Sequence, residues 1–342
     1  MRVAVYHNNN DIRVEERLVP EIGPGELLVR IEASGICGSD VAEWDRLPKA
    51  PLVLGHEIAG VVASVGKGVE SYKEGDRVTA AHHVPCNTCR YCLSGHPTAC
   101  DMLRRTKFDP GGFAEFVRLP AINVDRGVFK IPDGVSFEDA SFTEPLACVL
   151  RGQRMARLQP GQSVLVMGSG IAGLMHVHVA GLMGASRVIA TDVLDSRLEA
   201  AGRFGAYAAL DAKEDVVSHL RRLNNDRLAD LVIVCTTAPS AFDQSISLVE
   251  RGGTVLFFAP PEPRYRLSLP VNKLFYKNDV MLTTSYAGSP ADYATALELI
   301  ASRRVCLSRM ITHRLPLAEI GRGFKLVAAG KECIKVIIEP QK

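Results

Sequence analysis

A short apolar run, Val164–Met167, passes directly into Gly168-Ser169-Gly170-Ile171-Ala172-Gly173, and the residues that follow stay uncharged through Met183. This passage constrains the chain more than any other. A buried strand, a tight turn and a buried helix fit that order. Glycines permit the turn, and the backbone N–H groups at the helix start can approach a pyrophosphate. The next apolar run, Val188–Thr191, ends on an acid, Asp192. Strand, G-x-G-x-x-G, helix and acid together make a dinucleotide-binding fingerprint formed by Gly168, Gly170, Ile171, Ala172, Gly173 and Asp192. Asp192 is expected to accept from ribose hydroxyls and to repel a 2′-phosphate, which favours NAD over NADP. Arg197 complicates this reading, since it can stack on adenine or attract that phosphate; a surface helix arginine is its ordinary alternative.

The rhythm around this motif is regular. Strands at Val164–Met167, Val188–Thr191, Leu231–Val234 and Thr254–Phe258 alternate with helical stretches near Ile171–Met183, Ser196–Phe204, Glu214–Leu223 and Ser240–Val249. Such alternation means βαβ units on a parallel sheet. Before it the chain reads as β-rich, with short runs at Val3–Tyr6, Leu27–Ile36, Ile58–Val65 and Phe113–Leu119. Ser136 and Asp139 are spaced to cap a helix. After it, Ser289-Pro290 opens a helix, and Ile311–Leu315, a Leu317–Ala328 helix and Ile334–Ile338 follow. With 342 residues, the length suits about two domains. Leu158 to Ser186 carries no Asp, Glu, Lys or Arg, but its six glycines and two histidines, His176 and His178, suit a buried strand–turn–helix better than a membrane span. Both histidines are expected to pack or face the helix surface rather than bind metal.

Cysteine placement gives a second constraint. Cys86, Cys89, Cys92 and Cys100 form a C-x2-C-x2-C-x7-C cluster, and because Met1–His7 soon turns polar no secretory leader is expected. Four thiolates on short loops can close a tetrahedron around Zn²⁺ and leave no position for substrate, so the site is expected to be structural. An iron–sulfur cluster is the rival reading, but its usual run continues with a gap of three and a proline. Cys148, Cys235, Cys306 and Cys333 stand alone in apolar surroundings, as small buried hydrophobes do.

A dispersed set supplies different chemistry. Cys37 lies in Gly35-Ile36-Cys37-Gly38-Ser39-Asp40, His56 and Glu57 in Gly55-His56-Glu57, and Glu144 before Pro145. Cys, His and Glu are good zinc ligands, and three of them leave a coordination position open. Spacing alone leaves each with an ordinary alternative: a core thiol, a turn histidine, a solvated carboxylate. Pro145 is expected to hold Glu144 out of regular α conformation, at a helix break.

The run Gly55-His56-Glu57-x2-Gly60-x5-Gly66-x2-Val69 resembles the zinc signature of the medium-chain alcohol/polyol dehydrogenase family. The order of motifs is also similar: a Cys-x-Ser-Asp box, GHE, a four-cysteine lobe, Glu-Pro, then the nucleotide motif. The resemblance covers essentially the whole chain. It implies an α/β fold, with a GroES-like β-rich catalytic domain over 1–150 (zinc lobe 86–100), a Rossmann NAD-binding domain over 151–286, and a return to the catalytic domain over 287–342. The active site would lie between the two. It further implies two zinc ions per chain, one catalytic on Cys37, His56 and Glu144, with Glu57 able to exchange with its water, and one structural on the four cysteines. Ser39 would begin a proton relay and Asp40 would orient His56. A carboxylate third ligand resembles the sorbitol and threonine dehydrogenase branch.

The implied reaction is reversible oxidation of a secondary alcohol to a ketone with hydride transfer to NAD. A polyol, sugar or cyclitol is the first expectation, threonine or a simple secondary alcohol the alternatives. A nucleotide-binding protein without turnover is the reading from another class, disfavoured by the intact Cys37, His56, Glu144 set. The stretch from Asp40 to Gly55, with Trp44, is expected to frame the substrate mouth. His82-His83, just before the cysteine lobe, is expected to end a strand, with one of the pair able to face the substrate; Tyr286 and Phe257-Phe258 read mainly as core residues, with the cofactor cleft as the alternative. With 40 basic and 38 acidic residues and no basic run, neither nucleic acid nor membrane is an expected partner. A cytoplasmic homodimer or homotetramer acting on a small alcohol or ketone is expected.

Overall fold

Leu27, Val29, Ile31 and Ala33 are buried while Arg30 between them faces out, the two-residue period of a strand with one face on a core. The computed structural model describes residues 1–331 and 333–342. Its N-terminal strands are β1 (Arg2–Asn8), β2 (Asp11–Glu16), β3 (Leu27–Gly35), β4 (Leu52–Val53), β5 (Glu57–Val65), β6 (Arg77–Ala80), β7 (Phe116–Leu119) and β8 (Val128–Lys130). β1 pairs antiparallel with β2 and β4. β3 pairs antiparallel with β5, and β7 joins its first half. Leu27, Val29, Ile31, Ile58, Val62 and Val117 form the centre of the core beneath.

A six-stranded parallel sheet follows: β9 (Ser163–Met167), β10 (Arg187–Asp192), β11 (Ala208–Asp211), β12 (Ala229–Val234), β13 (Val249–Phe257) and β14 (Met281–Thr284). Their spatial order is β11-β10-β9-β12-β13-β14. Every residue of β9 is buried, as a central parallel strand requires. The strand order reverses between β9 and β12, and the crevice beyond the carboxyl ends at such a reversal is where these sheets take ligands.

The last strands are β15 (Ile311–Pro316) and β16 (Lys335–Glu339). They pair with each other in parallel, and β16 pairs with the end of β3, completing a sheet ordered β15-β16-β3-β5-β6-β8 with β7 on β3. The chain thus forms two units, Met1–Ala147 with Ala287–Lys342, and Cys148–Tyr286.

Several local expectations change. Glu144 and Pro145 lie in the first turn of a regular helix, Thr143–Met155, and not at an interruption within one. Proline costs little there, because its missing N–H is one that a first turn leaves unpaired. Phe142 separates this helix from Phe137–Ser141, whose N-cap Ser136 accepts from the Asp139 N–H. The stretch expected as one helix from Leu317 starts as a 3₁₀ turn, Leu317–Glu319, before Ile320–Ala329. β2 was not legible in the sequence, because four of its six residues are charged and none of the six is buried.

Candidate metal centres and cofactor loop

Cys37 follows β3 in a turn that closes on itself. The Asp40 N–H donates to the Cys37 carbonyl at 3.0 Å, and Asp40 Oδ2 accepts from the Cys37 N–H at 3.0 Å. Asp40 is fully buried, and its other oxygen lies 3.4 Å from His56 Nδ1. Burial opposes the Asp40 charge, yet the His56 ring and the Cys37 N–H hold its pKa below the ordinary value. Burial likewise opposes a charged His56, and the Asp40 carboxylate outweighs it, raising the imidazole well above its ordinary pKa. A ring fixed this way through Nδ1 leaves Nε2 for coordination.

The ligand atoms of Cys37, His56 and Glu57 all lie within 4.8 Å of one another. A thiol, an imidazole and a carboxylate so grouped have the donor chemistry that zinc takes. Among the described residues Glu144 is not part of that close group. It is half-buried, and its charge raises the pKa of Lys335. Ser39 is exposed, and its oxygens accept from Arg46, the carbonyl from Nε at 2.9 Å and Oγ from a terminal nitrogen at 3.3 Å.

Lys335 was not anticipated. It is buried in the apolar run Val336-Ile337-Ile338, pairs with the Glu57 carboxylate, and donates to the Ile36 carbonyl at 3.1 Å. Gly35 makes room for the pair: a Cβ there would sit 2.0 Å from Glu57 Oε2 and 2.9 Å from Lys335 Nζ. A lone lysine in an otherwise apolar strand was the available signal. The His82-His83 pair also lies close by, with the His82 ring 6.2 Å from that of His56.

Cys86, Cys89, Cys92 and Cys100 form the second group, again with all sulfurs within 4.8 Å. The sulfurs of Cys89 and Cys92 are 3.5 Å apart and those of Cys86 and Cys92 4.0 Å, too far for disulfides. Backbone N–H groups point at sulfur: Cys89 N to Cys86 Sγ at 3.2 Å, and Cys86 N to Cys100 Sγ at 3.3 Å. The Thr88 N–H and hydroxyl, with the Cys89 N–H, lower Cys86 to about 6. Burial and the Cys89 thiol push Cys92 up to about 12. Four thiols this close cannot all ionise against one another, and a dication removes that conflict. Between Cys86 and Asp101 only Thr98 and Cys100 are buried, so the lobe has almost no core of its own.

The glycine loop leaves β9 through Gly168, whose φ is +93°. A Cβ on Gly173 would fall 1.8 Å from the Gly168 carbonyl, so this glycine allows the helix Ile171–Leu182 to approach the loop. Gly170 is the N-cap, and Ile171 and Ala172 open the helix. Asp192 accepts from the Ser169 N–H at 2.8 Å, the Val193 N–H at 2.8 Å and the Leu194 N–H at 3.1 Å. Arg197 lies 3.6 Å from the Asp192 carboxylate and 3.7 Å from where a Gly170 Cβ would be. His176 is buried in this unit and hydrogen-bonded to Gln153, and His178 is half-buried.

Residues 23–133 match the family described as "Alcohol dehydrogenase GroES-like domain", and residues 172–302 the family "Zinc-binding dehydrogenase". Sorbitol dehydrogenase of Bacillus subtilis is 31% identical over 355 residues, covering 100% of this chain and 98% of that protein. The chain belongs to the zinc-dependent medium-chain dehydrogenase/reductase family. Within that family it is related to the sorbitol and threonine dehydrogenase branch: L-threonine 3-dehydrogenase of B. subtilis is 35% identical over 94% of this chain and 93% of its own. Among solved structures, alcohol dehydrogenase TADH from Thermus sp. ATN1 superposes with a TM-score of 0.87 at 32% identity, covering 99% of both chains. This medium-chain dehydrogenase/reductase is therefore an oxidoreductase acting on a CH–OH group with NAD(P). Among the described residues, no helix is long and apolar enough to cross a membrane.

Proposed function

We propose that this chain oxidises a secondary alcohol of the polyol, sugar or cyclitol class reversibly to the ketone, with NAD as hydride acceptor. The observation that carries the reading is the grouping of Cys37, His56 and Glu57 within 4.8 Å beside the Ser39–Asp40 turn. Zinc, when bound at this centre, would supply a Lewis acid that lowers the pKa of the substrate hydroxyl. Cys37 and His56 would hold it, and Asp40 fixes the His56 ring through Nδ1, leaving Nε2 for the metal. Glu144 is the carboxylate we assign as third ligand, on the match of its Glu-Pro box to the family pattern, and Glu57, paired with Lys335, is a nearby reserve. Ser39 relays the alcohol proton, accepting it while releasing its own hydroxyl proton through the cofactor ribose hydroxyls toward solvent. The lobe metal on Cys86, Cys89, Cys92 and Cys100 is structural. Asp192 favours NAD, because a 2′-phosphate beside its carboxylate would be repelled.

The polyol assignment draws support from relatives described as sorbitol dehydrogenase and probable D-xylulose reductase A. Threonine is the second reading, favoured by the 35% identity to L-threonine 3-dehydrogenase. Initial rates with NAD and with NADP across sorbitol, xylitol, inositol, threonine and 2-butanol test both. The highest kcat/KM with a polyol and NAD is the expected result. A threonine value exceeding every polyol would replace the first reading with the second.

A further inference from the structure

His82 and His83 form a hydrogen-bonded chain whose proton positions are set by its far end. His83 Nδ1 lies 2.9 Å from the Thr106 carbonyl, which can only accept, so Nδ1 carries the proton. Thr106 is itself fixed, since its hydroxyl accepts from the Val84 N–H at 3.0 Å. In a neutral His83 the other nitrogen, Nε2, is then an acceptor. It faces His82 Nδ1 at 3.1 Å, which must donate. His82 Nε2 is left with a bare lone pair. Burial pushes both imidazoles below their ordinary pKa, consistent with the neutral forms this chain of bonds requires.

The ring that carries this lone pair is held firmly. Phe108, itself buried, meets it edge-on at 4.8 Å and 89°. Nε2 has no hydrogen-bond partner among the described residues and is not a buried unsatisfied atom, so it is open to a ligand. The His82 ring stands 6.2 Å from that of His56, next to the candidate centre.

We infer that His82 Nε2 accepts a hydrogen bond from a second substrate hydroxyl, next to the one oxidised, and so selects vicinal diols over simple secondary alcohols. This rests on the alcohol-oxidising reading above. His82 is thus a specificity-determining residue, and His83 and Thr106 are positioning residues acting through it. A fixed acceptor rewards a substrate that brings a hydroxyl hydrogen and gives nothing to a methyl group in the same place.

The test compares wild type with His82→Phe, both zinc-loaded and with metal content measured, on 2,3-butanediol and 2-butanol. Phenylalanine keeps a flat ring against Phe108 and removes the acceptor. The expected result is an approximately tenfold loss of kcat/KM for the diol relative to 2-butanol, the size of one hydrogen bond between neutral groups. Calorimetric binding of the diol should weaken by a similar factor. Equal losses on both alcohols, or none, overturn the assignment. His83→Leu leaves His82 in place but frees its proton, and should shift the ratio in the same direction by less. If the Phe variant fails to fold or loses its metal, the His83→Leu ratio decides, and no shift there overturns the assignment. A wild type that oxidises neither alcohol refutes the proposed activity alone. Diol binding by wild type and His82→Phe then decides the role of His82, unchanged affinity overturning it.

Discussion

The Lys335 ammonium and the Glu57 carboxylate form an ion pair across 278 positions of sequence, each side chain only 1% exposed. Burial opposes the Lys335 charge, but Glu57 first, then Cys37 and Glu144, outweigh it and raise its pKa. The pair ties β16 to the start of β5 beside the candidate centre. Removing one partner leaves an uncompensated buried charge. Lys335→Met is therefore expected to destabilise the protein by about 3–5 kcal/mol. Combining it with Glu57→Leu should recover much of that loss. Urea denaturation of the single and double variants measures the difference, and equal stability of the single variant and wild type would refute the pair's role.

Cys89→Ser is expected to remove one equivalent of zinc and leave the other. The lobe then loses the cross-link that replaces its missing core, so its thermal transition should fall while the Cys37 centre keeps its metal. Metal analysis with a melting curve reads both. Iron and sulfide in the purified protein would overturn zinc as the lobe metal.

Glu144→Gln keeps size and hydrogen-bonding capacity and removes the anionic donor. We expect catalytic-zinc occupancy or turnover to fall at least about tenfold, the lower end of what changes around a metal site cost. NADH binding, followed by its fluorescence, should be unaffected. Full metal and unchanged turnover would move the third-ligand role to Glu57.

Asp192→Ala removes an acceptor for three backbone N–H groups and a charge that disfavours a 2′-phosphate. NADH affinity should drop about tenfold, in line with hydrogen bonds to a charged group, and the preference for NADH over NADPH should narrow. Fluorescence titrations with both cofactors measure this. A wild type that already prefers NADPH would make Arg197 the determinant.

His176 is buried in the nucleotide-binding unit, and burial lowers its pKa to about 3. The unfolded chain binds this proton near 6.5, so stability from the neutral ring is fully present above 6.5 and is lost as pH falls toward 3. The full span is worth up to about 5 kcal/mol. Denaturation midpoints at pH 7.5, 6 and 5 should fall more steeply for wild type than for His176→Leu. Parallel curves would show that the ring does not titrate in this way.

Much of the architecture follows from local pattern. The uncharged run through β9 and its helix, the alternation of apolar strands and helices, and the four clustered cysteines each state their structure within a few tens of residues, because their periods and spacings are set by helix, strand and metal geometry. The glycine loop was legible for the same reason, since Gly168 must reach positive φ and Gly173 must admit the loop carbonyl. What the tertiary structure alone decided are the relationships between distant segments. Cys37 and His56 come together because β3 and β5 pair antiparallel, Gly35 opposite Glu57. Lys335 reaches Glu57 because β16 docks on the end of β3. The proton on His82 depends on a carbonyl at Thr106, on another segment of the chain. Side-chain identity names the available donors and charges, but which of them meet depends on strand register and on burial, and a single sequence records neither.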